Sequence, residues 1–325
     1  MAETPPKDTQ ARQWPDHLLP GRRVEVADGV ARIIAPNPGL MTGPGTNTYL
    51  LGSERVALID PGPDDDDHLR ALCEAVGDRL RWVLVTHTHI DHSPLAGKLK
   101  NETGAEVLGF GPAPVPARRE PRGLDAHDQA FQPDRRLLDG ETLDTGEIRI
   151  DAVYTPGHAS NHLCFGLAGT GLLFSGDHVM SGSTVVIAPP DGDMADYIDS
   201  LEKVRTMVPS RIAPGHGDMI DEPGSVLDEY LRHRLEREAQ VLNGLRQGSG
   251  GSQGKGVSPA GLVERIYVDV PAALHPVARY SVWAHLLKLL SEGRARTDEP
   301  SDIDAPWYPA GDEPMISRTS PTSPG

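Results

Sequence analysis

The chain has 325 residues, 38% of them hydrophobic, enough for a full core and one small extra domain. Its 31 Lys and Arg against 47 Asp and Glu leave a formal charge of −16, which opposes a polyanion-binding surface spread over the whole molecule. Two cysteines, Cys73 and Cys164, are too few for a disulfide framework, and no apolar run reaches membrane-spanning length.

Residues 1–20 carry Pro, Asp, Lys and Arg without the apolar segment of a secretory signal. They read as a flexible N-terminus, and a cytoplasmic location is the expectation. Strands are expected over Val30–Ala35, Thr48–Leu51 and Arg55–Ile59, the last closed by Asp60-Pro61-Gly62. A helix is expected from Asp64 to Val76. The carboxylates Asp64–Asp67 suit the positive end of its dipole and read as a solvated helix start rather than a metal cage. The next strand, Arg81–Thr86, runs straight into His87-Thr88-His89-Ile90-Asp91-His92.

That hexapeptide holds four potential metal ligands. At a strand end alternate side chains share a direction, so His87 and His89 can reach one ion while Asp91 and His92, in the turn, reach a second. Imidazoles with a single carboxylate suit zinc or a similar first-row divalent ion, and the oxygens are too few for calcium. Pro94–Lys100 starts another helix and Glu106–Phe110 another strand. Gly111–Asp139 has no periodicity and reads as a long loop. Arg118, Arg119, Arg122, Arg135 and Arg136 cluster there, either meeting an anionic substrate group or pairing with neighbouring acids. His127, in the same loop, reads as a surface residue or as part of a lid.

Strands recur near Ile148, Leu163 and Leu172, with a helix over Met194–Met207. Three more candidate ligands each end an apolar run and follow a Gly or Pro: His158 in Thr155-Pro156-Gly157-His158, Asp177 in Ser175-Gly176-Asp177, and His216 in Ala213-Pro214-Gly215-His216. Gly and Pro let the chain turn sharply, so that a strand-end side chain points into a shared groove. Strands interleaved with helices, with ligands at strand ends, fit an α/β (α+β) fold of two sheets sandwiched between helices. Beyond this, residues 230–296 hold ten Lys and Arg against five Asp and Glu, the one basic stretch of the chain. Residues 248–256 read as a Gly/Ser linker, and the acidic, Pro- and Ser-rich 297–325 as a disordered tail.

The ligand series resembles that of the metallo-beta-lactamase superfamily of hydrolases: H-x-H-x-D-H, then separate His, Asp and His. The resemblance covers roughly residues 30–220 and implies an αββα sandwich over 21–225. It implies two divalent ions, Zn2+ first among them: His87, His89 and His158 on one, Asp91, His92 and His216 on the other, and Asp177 bridging. It also implies hydrolysis by a hydroxide shared between the ions, with Asp91 steering its proton as the catalytic residue. Asp60 would support a ligating histidine from behind. His178 would contact substrate, orient the bridging carboxylate, or be a buried structural histidine.

Asn37-Pro38-Gly39 with Gly45–Leu50, and the region from Tyr230 to Leu290, resemble a branch containing single-strand-specific endoribonucleases, with a small helical, winged-helix-like extension over 226–296. Fungal acyl-carrier thioesterases share that layout, and glyoxalase-type thioesterases share the metal core. Fold likeness does not select the substrate. The resemblance therefore implies either a single-stranded RNA endonuclease-like phosphodiesterase or a small-molecule thioester or ester hydrolase. A non-enzymatic metal-bound scaffold is the remaining alternative. No membrane partner is expected, and the oligomeric state is open.

Overall fold

Apolar β-branched runs separated by Gly, Pro and Asp set the frame of the structure, a computed structural model that describes residues 14–113, 126–182, 184–248, 256–268 and 270–310. The first sheet joins β1 (Val24–Ala27), β2 (Val30–Ile34), β3 (Asn47–Leu51) and β4 (Val56–Ile59) as antiparallel neighbours. Helix α1 (Asp66–Val76) then crosses over to β5 (Leu80–Leu84), and α2 (Leu95–Thr103) to β6 (Glu106–Gly109), both strands running parallel to β4. The short β7 (Arg135–Arg136) closes the edge, also parallel.

The second sheet contains β8 (Thr142–Asp144), β9 (Arg149–Tyr154), β10 (Leu163–Leu167) and β11 (Leu172–Gly176), each antiparallel to the next. Helix α3 (Met194–Thr206) returns the chain to β12 (Arg211–Pro214), parallel to β11. A single core lies between the sheets: Tyr49, Ile59 and Leu84 of the first meet Phe165, Phe174 and Ala213 of the second. Tyr49 and Phe174 meet edge to face, ring centroids 5.1 Å apart. On its other face the first sheet packs Leu58 and Val83 against Leu72 of α1 and Leu99 of α2. Strands β2, β3 and β4 are buried along their whole length, which is why they read as continuous apolar runs rather than alternating ones.

Several boundaries differ from the sequence expectation for local reasons. Helix α1 begins after Asp65, whose carboxylate accepts from the His68 N–H as an N-cap; the run of acids supplies the cap. The long loop is not uniformly irregular: Arg135–Arg136 form β7, and Ala126–Asp128 lie along the His-rich loop, with Ile90 N–H donating to Ala126 O and Asp128 N–H to Thr88 O. Arg118, Arg119 and Arg122 lie outside the described residues. Arg135 faces Glu106 at 3.4 Å, and the Arg136 guanidinium stacks over Phe110.

The chain divides into two compact units, Met1–Arg232 and His233–Gly325. The division falls within α4 (Pro223–Gly248), seven residues beyond the boundary expected at 225, because one continuous helix runs through both units. The second unit adds α5 (Pro259–Ile266), α6 (His275–Ser291), and a hairpin of β13 (Ala295–Arg296) with β14 (Tyr308–Pro309). Residues 297–310 therefore correct the expectation of disorder. Trp307 is fully buried in a core with Val257, Leu262 and Leu286, and exchanges backbone hydrogen bonds with Val257 at 2.9 and 3.0 Å. Residues 249–255 of the expected linker and 311–325 of the tail lie outside the described residues. No described helix is long and apolar enough to cross a membrane.

Candidate metal centre and active site

All seven candidate ligands sit in loops at strand ends. The loop after β5 carries His87, His89, Asp91 and His92, while the loops after β9, β11 and β12 bring His158, Asp177 and His216. Three groups result, each with ligand atoms within 4.8 Å of one another: His87, His89 and His158; Asp91, His92 and His216; and His87, His92 and Asp177. His89 Nδ1 lies 2.9 Å from His87 Nε2 and 3.1 Å from His158 Nε2. Asp177 stands between the sets. Its Oδ1 is 3.4 Å from both His92 Nε2 and His216 Nε2, and its Oδ2 is 3.7 Å from His158 Nε2.

Glycine before the ligand has a steric reason. A Cβ on Gly215 would lie 2.5 Å from Asp177 Oδ1 and 2.9 Å from His92 Cε1, so only glycine admits His216 at this distance. A Cβ on Gly157, at φ +127°, would lie 2.3 Å from Tyr197 Cα, which lets the His158 turn close onto α3.

The electrostatics divide the histidines. Burial holds His87, His89 and His158 below the usual imidazole range, His87 and His89 well below, with neighbouring imidazoles adding to the effect. They are neutral, the state that ligates metal. Burial also opposes a charge on His216, but Asp177 and Asp91 outweigh it and lift its pKa to about 10. His92 is likewise raised well above its ordinary value, Asp91, Asp177 and Asp60 overcoming burial. Burial disfavours ionised Asp177 and Asp91, yet the adjacent His216 and His92 hold both carboxyls below the usual range. The buried Asp177 Oδ1 and His92 Nε2 have no hydrogen-bond partner. The neutral imidazoles of His87, His89 and His158, the ionised carboxylates and these two orphaned atoms fit divalent cations, whose charge would replace the protons that the carboxylates hold on His92 and His216.

Asp60 lies behind the loop. Its Oδ2 accepts from His92 Nδ1 at 2.9 Å and from the Thr86 hydroxyl at 2.8 Å, and its Oδ1 accepts from Thr86 N–H at 2.8 Å. Its backbone φ of +53° is held in place by these three bonds. His178 is fully buried against Tyr197, with burial pushing its pKa down to about 3, and it is not among the residues lining the cleft. Of the three readings open for His178, its surroundings are those of a buried histidine away from the described cleft lining.

Two supports were not visible in the sequence. His162 is fully buried beside His87, ring centroids 5.0 Å apart; its Nε2 accepts from the Asp177 N–H and its Nδ1 lies 2.9 Å from the Thr155 hydroxyl. Its position four residues after His158 was the available signal. His127 is not a surface residue. It is buried over His89, with Nδ1 2.8 Å from Thr88 Oγ1 and Nε2 3.0 Å from Asp191, whose carboxylate also holds Ser160. Nothing in the local pattern around Asp191 pairs it with a residue 64 positions earlier.

The centre opens into a cleft of about 270 Å3, walled by Met41, Ile90, Ala126, Met180, Val185 and Val186, with Thr42 the only polar side chain among the described lining residues outside the ligand set. No Lys or Arg is among them.

Residues 41–216 match the metallo-beta-lactamase superfamily, and residues 258–304 match the beta-lactamase associated winged helix domain. A beta-lactamase-like protein 2 homolog of Drosophila melanogaster is 33% identical over 288 residues, covering 85% of this chain and 93% of that one. An atrochrysone carboxyl ACP thioesterase of Aspergillus fumigatus is 31% identical over 276 residues, covering 81% and 80%. A beta-lactamase domain protein of Burkholderia ambifaria has the same fold, with a TM-score of 0.70 at 21% identity over 92% of this chain and 96% of that one. Two facing sheets with His and Asp clusters at their strand ends, together with these matches, place the chain in the metallo-beta-lactamase superfamily of hydrolases, with a C-terminal winged-helix domain of the beta-lactamase-associated kind.

Proposed function

We propose that this protein hydrolyses thioesters of an apolar acyl group, with His87, His89 and His158 holding one divalent ion, Asp91, His92 and His216 a second, and Asp177 touching both. The observation that carries the reading is the cleft. Its walls are aliphatic, and no Lys or Arg is among its described lining residues to meet a phosphodiester backbone. The thioesterase relative in Aspergillus fumigatus supports the same substrate class. Zinc is the ion the donor set favours, since imidazole nitrogen dominates both groups.

Divalent ions in these positions would acidify water toward neutrality and polarise the thioester carbonyl. The chain's own residues do the rest. Met180, Val185, Val186, Ile90 and Ala126, which line the cleft, would shield the acyl group from bulk water. Asp91, held at 3.3 Å by the Thr46 hydroxyl, is placed to take the proton of the attacking water. Water oxygen bonds to the carbonyl carbon, the carbon–sulfur bond breaks, and the released thiolate takes up a proton. The products are a carboxylic acid and a thiol.

The test is metal-loaded protein offered acyl thioesters and end-labelled single-stranded RNA side by side, with Asp91→Ala purified in parallel. Thioester turnover that the variant loses, with RNA left intact, is the expected result. RNA cleavage that the variant loses would install the nuclease reading instead, with the basic stretch 230–296 as its nucleic-acid platform.

A further inference from the structure

A second hollow of about 510 Å3 lies beside the cleft, and Met180 belongs to the walls of both. Its floor is Met219, Ile220 and Val226, and its rim carries Asp221, Glu222 and Glu229. Met180 is buried, and its backbone is fixed from both sides: its N–H donates to the Tyr230 hydroxyl at 3.1 Å, and that hydroxyl donates to Met180 O at 3.0 Å. The backbone is pinned, whereas the side chain is an unbranched thioether with three rotatable bonds, suited to swinging between neighbouring spaces.

We propose that this hollow is the distal acyl subsite of the enzyme: the far end of a long, uncharged acyl chain passes Met180 and lies on Met219, Ile220 and Val226. The inference rests on the thioester reading and extends it to a substrate length. Met180, which lines both spaces, marks where the path would run, and the aliphatic floor supplies the attraction. The rim adds little discrimination by charge, since Asp221 pairs with Arg211 at 2.7 Å and Glu229 pairs with Arg232; the aliphatic floor itself favours a methyl-terminated chain. Short acyl groups would occupy the metal cleft alone, and Met180 is therefore the residue that divides short from long substrates.

The experiment uses the metal-loaded full chain with butanoyl, octanoyl and dodecanoyl thioesters of N-acetylcysteamine, and with the matching non-hydrolysable thioethers in calorimetry. In the wild type, kcat/KM and thioether affinity rise with length, by about fourfold for each methylene that leaves water. Val226→Trp fills the hollow, so it keeps butanoyl turnover near the wild-type level and loses dodecanoyl turnover and affinity by at least about tenfold. Val226→Ala, which only enlarges the space, keeps or strengthens the preference for long chains and guards against a folding defect in the Trp variant. The same length dependence in wild type and Val226→Trp, or no length dependence in the wild type, overturns the subsite. Thioethers that bind with the expected length dependence while no thioester is cleaved would sink the hydrolase reading and leave the subsite standing. Failure of both binding and cleavage removes both.

Discussion

Asp60 Oδ2 accepts a hydrogen bond from His92 Nδ1 at 2.9 Å, turning the other ring nitrogen, Nε2, toward Asp91 and Asp177. The carboxylate fixes the histidine's tautomer as well as its direction, since an acceptor at Nδ1 forces the proton there and leaves Nε2 free to ligate. Asp60→Asn tests this without disturbing the backbone, because Asn tolerates the positive φ of this position. An amide cannot accept from both His92 and Thr86 N–H with its two ends, so one of the present bonds must fail. Metal affinity measured by chelator competition should fall by about 10- to 100-fold, with the circular dichroism spectrum unchanged.

Gly215→Ala tests the close approach at the centre. The added methyl would sit 2.5 Å from Asp177 Oδ1, and neither Asp177 nor His92 has slack to retreat because both are buried. Displacing the carboxylate by about an ångström should lower kcat by about a hundredfold. Mutation of Gly224, on α4 with open space around its Cβ position, is the matched control and should leave turnover intact.

His68 provides a pH dependence whose sign can be worked out. Its buried ring meets Thr48 Oγ1 at 3.0 Å, and because that hydroxyl donates to Asp60 O, His68 Nε2–H must be the donor. Burial lowers its pKa from 6.5 to about 4. In this window the unfolded chain binds a proton that the native chain does not, so stability is full above pH 6.5 and is lost as pH falls toward about 4. The loss from this group is roughly 3 kcal/mol. Urea melts between neutral pH and pH 5 should show a shallower decline for His68→Asn than for wild type. An equal slope in both proteins would contradict the assignment.

Trp307→Ala tests the second unit. Removing this fully buried indole from its cluster should cost about 3–5 kcal/mol, read as a lower melting temperature of that unit. Truncation after Arg296 should lower it further, since it removes β14 together with the indole.

The sequence exposed the ligands because each must end a strand and turn sharply, and both demands leave local marks: an apolar run, then Gly or Pro. What it hid depends on distance along the chain. Asp191 pairs with His127, and Asn161 donates to Thr88 Oγ1 at 2.8 Å, contacts that no local pattern announces. Trp307 was overlooked for the opposite reason. Its surroundings are acidic and rich in proline, so composition argued for disorder, while one large aromatic residue there was the available sign of a core contact. Charge placement, too, is only partly legible: the Lys288 and Arg294 charges in the basic stretch converge on the buried Glu238 at 2.7 and 2.6 Å, so they hold the second unit together rather than face solvent unpaired.

Each proposed ion draws its donors from both sheets, two from the loop after β5 and the third from a loop of the second sheet, with Asp177 again from the second. An ion bound there is a rivet through the sandwich, and neither sheet alone presents a complete set. Its binding energy is then shared with the docking of one layer on the other. Any substitution that loosens the Tyr49–Phe174 seam should release metal before it unfolds the chain, so metal retention reports on a core that the substrate never touches.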